Sequence, residues 1–166
     1  MPFLPKKILA ATDFSAGSAD AVDIACDLSK TYGAPLTLLH VVPPATYLDY
    51  FAAANPQSAA ALGYQTAVRD AVRKSWRDEE GRLRARGVTV EFATREGPPA
   101  LEIAAFAGAG GFDLVVIGTH GRTGLKHVLL GSVAGGVVRH CQVPVLTVQQ
   151  VAPIPTDVSP QPAQRR

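Results

Sequence analysis

Short apolar runs alternate along the chain with longer stretches in which apolar residues recur every three or four positions. Brief apolar runs bounded by turn residues are typical of strands, whereas the longer spacing is typical of helices with one inward face. The pattern predicts five strands, at Ile8–Ala11, Pro35–Val42, Val88–Ala93, Leu114–Ile117 and Val143–Val148.

Capping residues and glycines set the ends of the predicted helices. Ser15 or Ser18 can cap the first helix, and Asp20 is placed in its first turn, where a negative charge suits the helix dipole. Gly33 is a good C-terminal stop for this helix. The other helices are predicted from about Ser58 to Arg86, from Pro98 to a group of glycines (Gly108, Gly110 and Gly111), and from Ser132 to about Cys141. The segment from Ala45 to about Pro56 has no clear period, so that a loop and a ragged helix start both fit it.

Apolar residues at helical spacing predict which face of each helix packs inward. In the first helix they are Ala21, Ile24, Ala25 and Leu28. In the long second helix they are Tyr64, Val68, Ala71, Val72 and Leu83, and Trp76 is assigned to the same packing. In the third they are Leu101, Ala104 and Ala105.

Strict alternation of strands and helices predicts an α/β fold with one parallel sheet and helices on both of its faces. The alternating pattern of Val88–Ala93 places this strand near an edge, and Pro144 places the last strand at an edge because proline donates no hydrogen bond. Ligands of such sheets bind beyond the carboxyl ends of the strands, where the strand order reverses. If the first and fourth strands are neighbours, the residues at the strand ends, namely Asp13, His40, Val41 and Gly118, converge on one crevice.

A glycine-rich loop runs from Gly118 to Gly124 and ends in Gly131-Ser132-Val133. Glycines after a strand are commonly plain turn residues. Here the glycines recur over a long loop, the preceding strand is wholly apolar, and Ser132 is predicted to be a helix N-cap. Backbone amides of such a loop and of the following helix start can surround a phosphate. We therefore interpret the loop as a phosphate-binding element.

Composition limits the alternatives. The chain has 166 residues, enough for one domain, and 47% of them are hydrophobic, without an apolar run long enough to cross a membrane. The net charge is +2 and the basic residues are scattered, so the sequence does not indicate a basic surface for binding nucleic acid. The segment Met1–Asp13 does not read as a signal peptide, so we expect a cytoplasmic protein. Cys26 and Cys141, both placed in helices, are expected to be small buried hydrophobes rather than a disulfide.

The absence of two known phosphate-binding motifs narrows the choice of fold. The chain has no G-x-x-x-x-G-K-[ST], and no G-x-G-x-x-G follows its first strand, which argues against a P-loop NTPase and a standard dinucleotide dehydrogenase. The chain instead resembles the universal stress protein family, over about Lys7 to Val148. Three stretches carry the resemblance: Ile8-Leu9-Ala10-Ala11-Thr12-Asp13-Phe14-Ser15, Leu39-His40-Val41-Val42, and Gly118-x-x-Gly121 followed after nine residues by Gly131-Ser132. The last is similar to the G-x2-G-x9-G-[ST] signature of the family's ATP-binding members.

The resemblance implies a Rossmann-like fold of the adenine nucleotide alpha hydrolase type, with residues 1–150 as the domain. Residues 151–166 are expected to form a flexible tail, because they are rich in proline and hold too few apolar residues to fold. It implies that Asp13 lies near the nucleoside and that a main-chain group of Val41 contacts adenine. It assigns Gly118 and Gly121 to the ribose and phosphates, and the Gly131-Ser132-Val133 segment to the phosphates. It also implies a homodimer formed through Val143–Val148.

The sequence leaves two interpretations open for several residues. Arg122 either pairs with a phosphate or points to water, and His120 either hydrogen-bonds the loop backbone or acts as a general base. Gly135 and Gly136 depart from the family pattern; close packing and close approach to a ligand both explain them, and we favour packing. His140-Cys141 lacks a second ligand pair at metal spacing, so we expect no protein-ligated metal, although Mg²⁺ can accompany ATP through its phosphates.

Three functions remain open from the sequence. The favoured one is a nucleotide-dependent regulator of the stress response that binds ATP with little or no catalysis, because no base or arginine finger is evident. The second is an enzyme, either a slow ATPase or an adenylyl-transferring relative. The third is a dimerising scaffold whose glycine loop is only a turn.

Overall fold

The structure is a computed structural model that describes residues 3–44, 59–119 and 130–149. The described residues form five strands and four helices, and the chain folds as one α/β domain, as predicted. In chain order they are β1 (Ile8–Ala11), α1 (Ala16–Tyr32), β2 (Leu36–Val42), α2 (Ala59–Ala85), β3 (Val90–Glu96), α3 (Pro99–Ala109), β4 (Leu114–Gly118), α4 (Ser132–His140) and β5 (Val145–Val148).

All strand pairs are parallel, and the strand order is β3-β2-β1-β4-β5. The central strand β1 pairs Ile8 with Leu36 on one side and with Leu114 on the other. The chain first builds the sheet outward through β2 and β3, and then returns to the other side of β1. The order therefore reverses between β1 and β4, and β3 and β5 are the edges, as the sequence predicted.

Side chains of β1 alternate between two apolar layers, as expected for a strand with both faces covered. Ile8 and Ala10 pack with α1 and with Leu83 of α2 in one layer. Leu9 and Ala11 pack with α3 and α4 in the other. Helices thus cover both faces of the sheet, and the core lies on either side of β1.

The predicted inward face of α1 was partly wrong. Ala21 and Ala25 are fully buried, but Ile24 is 39% exposed, and Val22 and Cys26 take its place against the sheet. The helix is rotated toward its smaller residues, because Ala21, Val22, Ala25 and Cys26 let it approach β1 and β4 closely. Only the packed structure decides this rotation.

The prediction of the inward face of α3 was also wrong. Leu101 is 50% exposed and Ala105 is exposed, whereas Ile103 and Ala107 are buried. These two residues stand four apart on one stripe that packs against β4 and α4. In α2 the prediction held for Leu83 but not for Ala71, which is exposed.

The caps correct two further predictions. Ser15 is the N-cap of α1, and its Oγ accepts a hydrogen bond from the Ser18 amide at 3.3 Å. Asp20 lies beyond the first turn of α1, which contains no acidic residue. The N-cap of α4 is Gly131, not Ser132, because the backbone is still extended at Gly131 while its carbonyl oxygen already accepts from the Gly135 amide.

The two cysteines differ in their surroundings. Cys26 is buried inside α1, whereas Cys141 is half-buried and lies just after the last helical residue of α4, so its placement in a helix was wrong. Both thiols are free. Within the described ranges, no helix is long and apolar enough to cross a membrane. The Ala45–Pro56 segment and the predicted tail, residues 151–166, lie outside the described residues.

Candidate functional site

A cavity of about 480 Å³ lies beyond the carboxyl ends of β1, β2 and β4. Its size is within the range that is usual for small-molecule sites. It lies at the reversal of strand order, where ligands of open parallel sheets bind. Its lining residues are Ala11, Thr12, Asp13, Ser18, Leu39, His40, Val41, Pro43, Pro99, Ile103, Ile117, Gly118, Thr119, Gly131, Ser132, Val133 and Ala134.

Most of the site residues predicted from the sequence meet around this cavity. Asp13 comes from the end of β1, Val41 from β2, and Gly118 from β4. The start of α4 contributes the remaining three, which are Gly131, Ser132 and Val133. Gly121, Arg122 and His120 lie outside the described residues.

The turn after β1 is built by side chains that bond to its own backbone. The Phe14 amide donates to Thr12 Oγ1 at 3.0 Å, and the Ser15 amide donates to Asp13 Oδ1 at 3.1 Å. Ser18 Oγ lies 3.2 Å from Thr12 Oγ1 and donates to the Ser15 carbonyl oxygen at 3.0 Å. These bonds fix how Asp13 leaves the strand and faces the cavity.

His40 lines the cavity and is only 5% exposed. Its Nδ1 is 2.8 Å from the carbonyl oxygen of Thr12. A carbonyl oxygen only accepts, so Nδ1 carries the hydrogen in this contact. The bond ties the end of β2 to the turn after β1. The sequence placed His40 near the crevice but assigned it no partner.

The two ends of the glycine loop are fixed to the sheet and to each other. The Thr119 amide donates to the carbonyl oxygen of Val148 on β5 at 2.8 Å. The Gly131 amide in turn donates to the carbonyl oxygen of Thr119 at 2.8 Å. The loop therefore leaves β4 and enters α4 at adjoining points on the cavity wall.

The first turn of α4 opens onto the cavity. Ser132, Val133 and Ala134 line it, and Gly131 offers no side-chain cap to their amides. The amides of a first helical turn have no partner within the helix, and the helix dipole adds partial positive charge there. This end of the cavity can therefore accept an anionic group such as a phosphate.

Another part of the cavity wall is apolar, and the sequence prediction missed some of it. Pro99 and Ile103 come from the first two turns of α3, and Leu39 and Pro43 from β2 and its end. A flat apolar group such as a base can lie against such a wall. The sequence could have indicated that Pro99 and Ile103 lie at the site, because a helix that follows a parallel strand begins at the carboxyl edge of the sheet.

Gly136 is explained by packing between helices. A Cβ on Gly136 would lie 2.5 Å from the Cβ of Ala100, so α3 and α4 approach closely there. A Cβ on Gly135 would meet only the Leu130 side chain, at 3.5 Å, which is ordinary contact. The packing interpretation therefore holds for Gly136.

Two groups in the layer of α1 and α2 have clearly shifted pKa values. Burial raises the pKa of the Cys26 thiol to about 11. The hydrogen bond with Glu79 raises the pKa of Arg82 above its usual value, and Asp23 adds to the effect. In the described part of the chain, no three His, Cys, Asp or Glu side chains are grouped so that they would hold a metal ion.

Comparison with known proteins decides the family. A sequence model described as the Universal stress protein family matches residues 5–149. The chain belongs to this family. Two universal stress proteins illustrate the relationship. MJ0531 of Methanocaldococcus jannaschii is 31% identical over 147 residues, which cover 89% of this chain and 84% of that protein. YxiE of Bacillus subtilis is 32% identical over 152 residues, or 86% of this chain and 98% of that protein.

Solved structures confirm the fold of this universal stress protein. The structure of MJ0577 of Methanocaldococcus jannaschii, solved for a structure-based assignment of its biochemical function, superposes with a TM-score of 0.75. It is 26% identical and covers 90% of this chain and 99% of that one. A universal stress protein in complex with cAMP superposes with a TM-score of 0.62 at 24% identity, over 88% and 98% of the two chains. The Rossmann-like α/β architecture predicted from the sequence is thus confirmed.

Proposed function

We propose that this universal stress protein binds ATP in the cavity and acts as a nucleotide-dependent regulator of the stress response, with little or no catalysis. One observation carries the proposal. The carboxylate of Asp13 and the uncapped first turn of α4 face the same cavity, at the point where the strand order reverses. This arrangement offers an acceptor for sugar hydroxyls beside donors for phosphates.

The chemistry of the lining suits the three parts of an adenine nucleotide. In our proposal the adenine lies against Ile103 and Pro99 and contacts the main chain of Val41. Asp13 accepts hydrogen bonds from the ribose. Gly118 and the first turn of α4 lie beside the phosphates, and the sequence resemblance adds Gly121 there. We further propose that Arg122 of the same loop pairs with a phosphate. Mg²⁺ is bound through the phosphates rather than through protein ligands.

The lining favours binding over turnover. Among the lining residues that the structure describes, Asp13 is the only acid, and none is Lys or Arg. One oxygen of Asp13 is engaged by the Ser15 amide, which suits an orienting role. Phosphoryl transfer depends on positioned positive charge and on a group that orients the nucleophile. The described lining holds no Lys or Arg, and we assign its one acid, Asp13, to the ribose, so we propose slow or no hydrolysis.

We also propose that the protein works in the cytoplasm as a homodimer that pairs through Val143–Val148. β5 is an edge strand, and Leu146 on it is 37% exposed. An exposed apolar edge strand is a ready partner for a second copy of the same strand. Sedimentation equilibrium of the purified chain tests this part, with a monomer at all concentrations as the contrary result.

Titration calorimetry with Mg·ATP tests the binding proposal, and cAMP, ADP and GTP are titrated in parallel to define the ligand. We expect saturable heat with ATP and a loss of at least about tenfold in affinity, or about 1.4 kcal/mol, for Asp13→Ala. Asp78→Ala is the matched control, because Asp78 is an exposed carboxylate on α2. A titration up to about 1 mM ATP would detect even a weak site, so the absence of heat from the folded wild-type chain would refute the proposal.

Three further measurements complete the test. Gly121→Val should abolish ATP affinity in a folded protein, since a β-branched residue blocks backbone approach to the phosphates. Phosphate release from ATP separates the regulator from the slow ATPase. Turnover that His120→Ala removes without loss of binding would favour the enzyme. Mass spectrometry of small molecules released on denaturation identifies the nucleotide that the protein carries from the cell.

A further inference from the structure

Phe14 adopts a backbone conformation that side chains usually avoid. Its φ is 62°, and among the described residues it is the only non-glycine residue with a positive φ. In this left-handed region Cβ crowds the following carbonyl, so a residue other than glycine is held there only by its surroundings. Phe14 directly follows Asp13, which faces the cavity, whereas Phe14 itself is not part of the cavity lining.

Aromatic rings hold Phe14 in place from two sides. Its ring centroid is 4.5 Å from that of His40 on β2, and 4.9 Å from that of Trp76 on α2 with nearly perpendicular planes. Trp76 is fixed in turn, because its ring is 5.0 Å from Phe92 and its Nε1 donates to Thr94 Oγ1 at 3.0 Å. Edge-to-face contacts at such distances are favourable. They compensate for the backbone strain at Phe14.

The strained residue lies between the two hydrogen bonds that shape the turn. The amide of Phe14 donates to Thr12 Oγ1, and the next amide, that of Ser15, donates to Asp13 Oδ1. If Phe14 left the left-handed region, the Ser15 amide would turn away from the Asp13 carboxylate. The direction of this carboxylate therefore depends on the ring of Phe14.

We propose that Phe14 is a positioning residue of the candidate site. Its ring, held by His40 and Trp76, keeps the left-handed turn that aims the Asp13 carboxylate into the cavity. The proposal rests on the proposed nucleotide site for its effect on affinity. It assigns to Trp76 on α2 a role in the site, although Trp76 does not line the cavity.

Phe14→Ala and Phe14→Gly form the decisive pair. Alanine keeps the steric cost of a positive φ but loses the ring, whereas glycine adopts this conformation at no steric cost. We expect ATP affinity to fall at least about tenfold in Phe14→Ala and to recover toward wild type in Phe14→Gly. A simple packing role predicts the reverse order, because glycine fills even less space. Phe3→Ala is the control for losing a ring, since Phe3 is 55% exposed and precedes the first strand.

Amide hydrogen exchange of Ser15, measured by NMR in the ligand-free chain, reads the turn directly. Exchange should be faster in Phe14→Ala and slower again in Phe14→Gly. Unchanged Ser15 exchange in Phe14→Ala, or a glycine variant no better than alanine, would overturn the positioning role. If Phe14→Ala does not fold, Trp76→Leu removes the second ring and should also speed Ser15 exchange. Absence of ATP binding by the wild-type chain refutes the proposed function only, because the exchange experiment still decides the positioning role.

Discussion

The amide of Gly131 donates to the carbonyl oxygen of Thr119 at 2.8 Å, and a Cβ on Gly131 would lie 2.7 Å from that oxygen. The backbone at Gly131 has ordinary negative φ, so glycine is needed here for space and not for conformation. The same contact closes the glycine loop next to the first turn of α4. The glycine of the sequence motif thus has a structural reason that is independent of any ligand.

Gly131→Ala should destabilise the protein by about 1–3 kcal/mol, the usual cost of overpacking against atoms that cannot move. The clash is with backbone, so relief requires the loop end and α4 to separate, and we expect ATP affinity to fall as well. Urea unfolding and ATP titration measure the two effects. Gly135→Ala is the control, because its Cβ has room, and it should gain up to about 1 kcal/mol from helix propensity. Equal stability of the two variants would contradict the close approach.

Gly136→Ala should be destabilising for a different reason, the crossing of α3 and α4. The new Cβ would meet the Cβ of Ala100 at 2.5 Å, and neither atom can rotate away. Ala100→Gly in the same chain should relieve the clash. We expect the double variant to be more stable than the sum of the single effects by about 1–2 kcal/mol, as for residues in direct contact. Additive effects in urea unfolding would show that the helices do not touch at this point.

The sequence was sufficient to locate the five strands and to identify the two edge strands. Four of the strands are short, largely apolar runs between turn residues, and β3 was found from its alternating pattern, although it ends at Glu96 rather than at Ala93. The rule that strand ends meet at one edge brought Asp13 and Gly118 together. Pro144 correctly marked β5 as an edge. Local pattern is enough for these features because they depend on neighbours in the chain and on the direction of the strands.

The rotation of the helices and the apolar part of the cavity wall were not predictable in this way. Ile24 and Leu101 fit helical spacing but lie outside the core, since α1 packs through its smaller residues and α3 packs through Ile103 and Ala107. Pro99 and Ile103 reach the cavity only through the placement of α3 beside β2 and α4. The cap at Gly131 was missed by one residue because its extended backbone is held by Thr119, which lies twelve positions earlier in the chain.

Stability should decrease above pH 9 through Cys26. Burial raises the pKa of this thiol from 9.0 to about 11, so the unfolded chain loses the proton first as the pH rises. The contribution is therefore fully present below pH 9 and is lost between pH 9 and 11, by roughly 2–3 kcal/mol in total. Urea unfolding across this range, compared with Cys26→Ala, isolates the effect. The alanine variant should show a shallower loss, and parallel curves would mean that the thiol is not shielded from water.

Asp23 should be the main electrostatic link between α1 and α2. It pairs with Arg82, and its Oδ2 is 3.2 Å from Nη1 of Arg86, while Asp27 pairs with Arg86 at 2.8 Å and with no second cation among the described residues. The Asp23 side chain is 35% exposed and that of Asp27 is 66% exposed. Asp23→Ala should therefore cost about 1 kcal/mol more than Asp27→Ala, near the upper end for ion pairs that water partly screens.

The comparison is matched, because both aspartates lie within α1 and both variants gain the same helix propensity. Urea is uncharged, so unfolding can be measured at low and high NaCl concentrations. The difference between the two variants should shrink at about 1 M NaCl, where charges are screened over about 3 Å. A difference that persists at high salt would assign the effect of Asp23 to packing or hydrogen bonding, and equal stability at low salt would show that Asp23 does not link the helices.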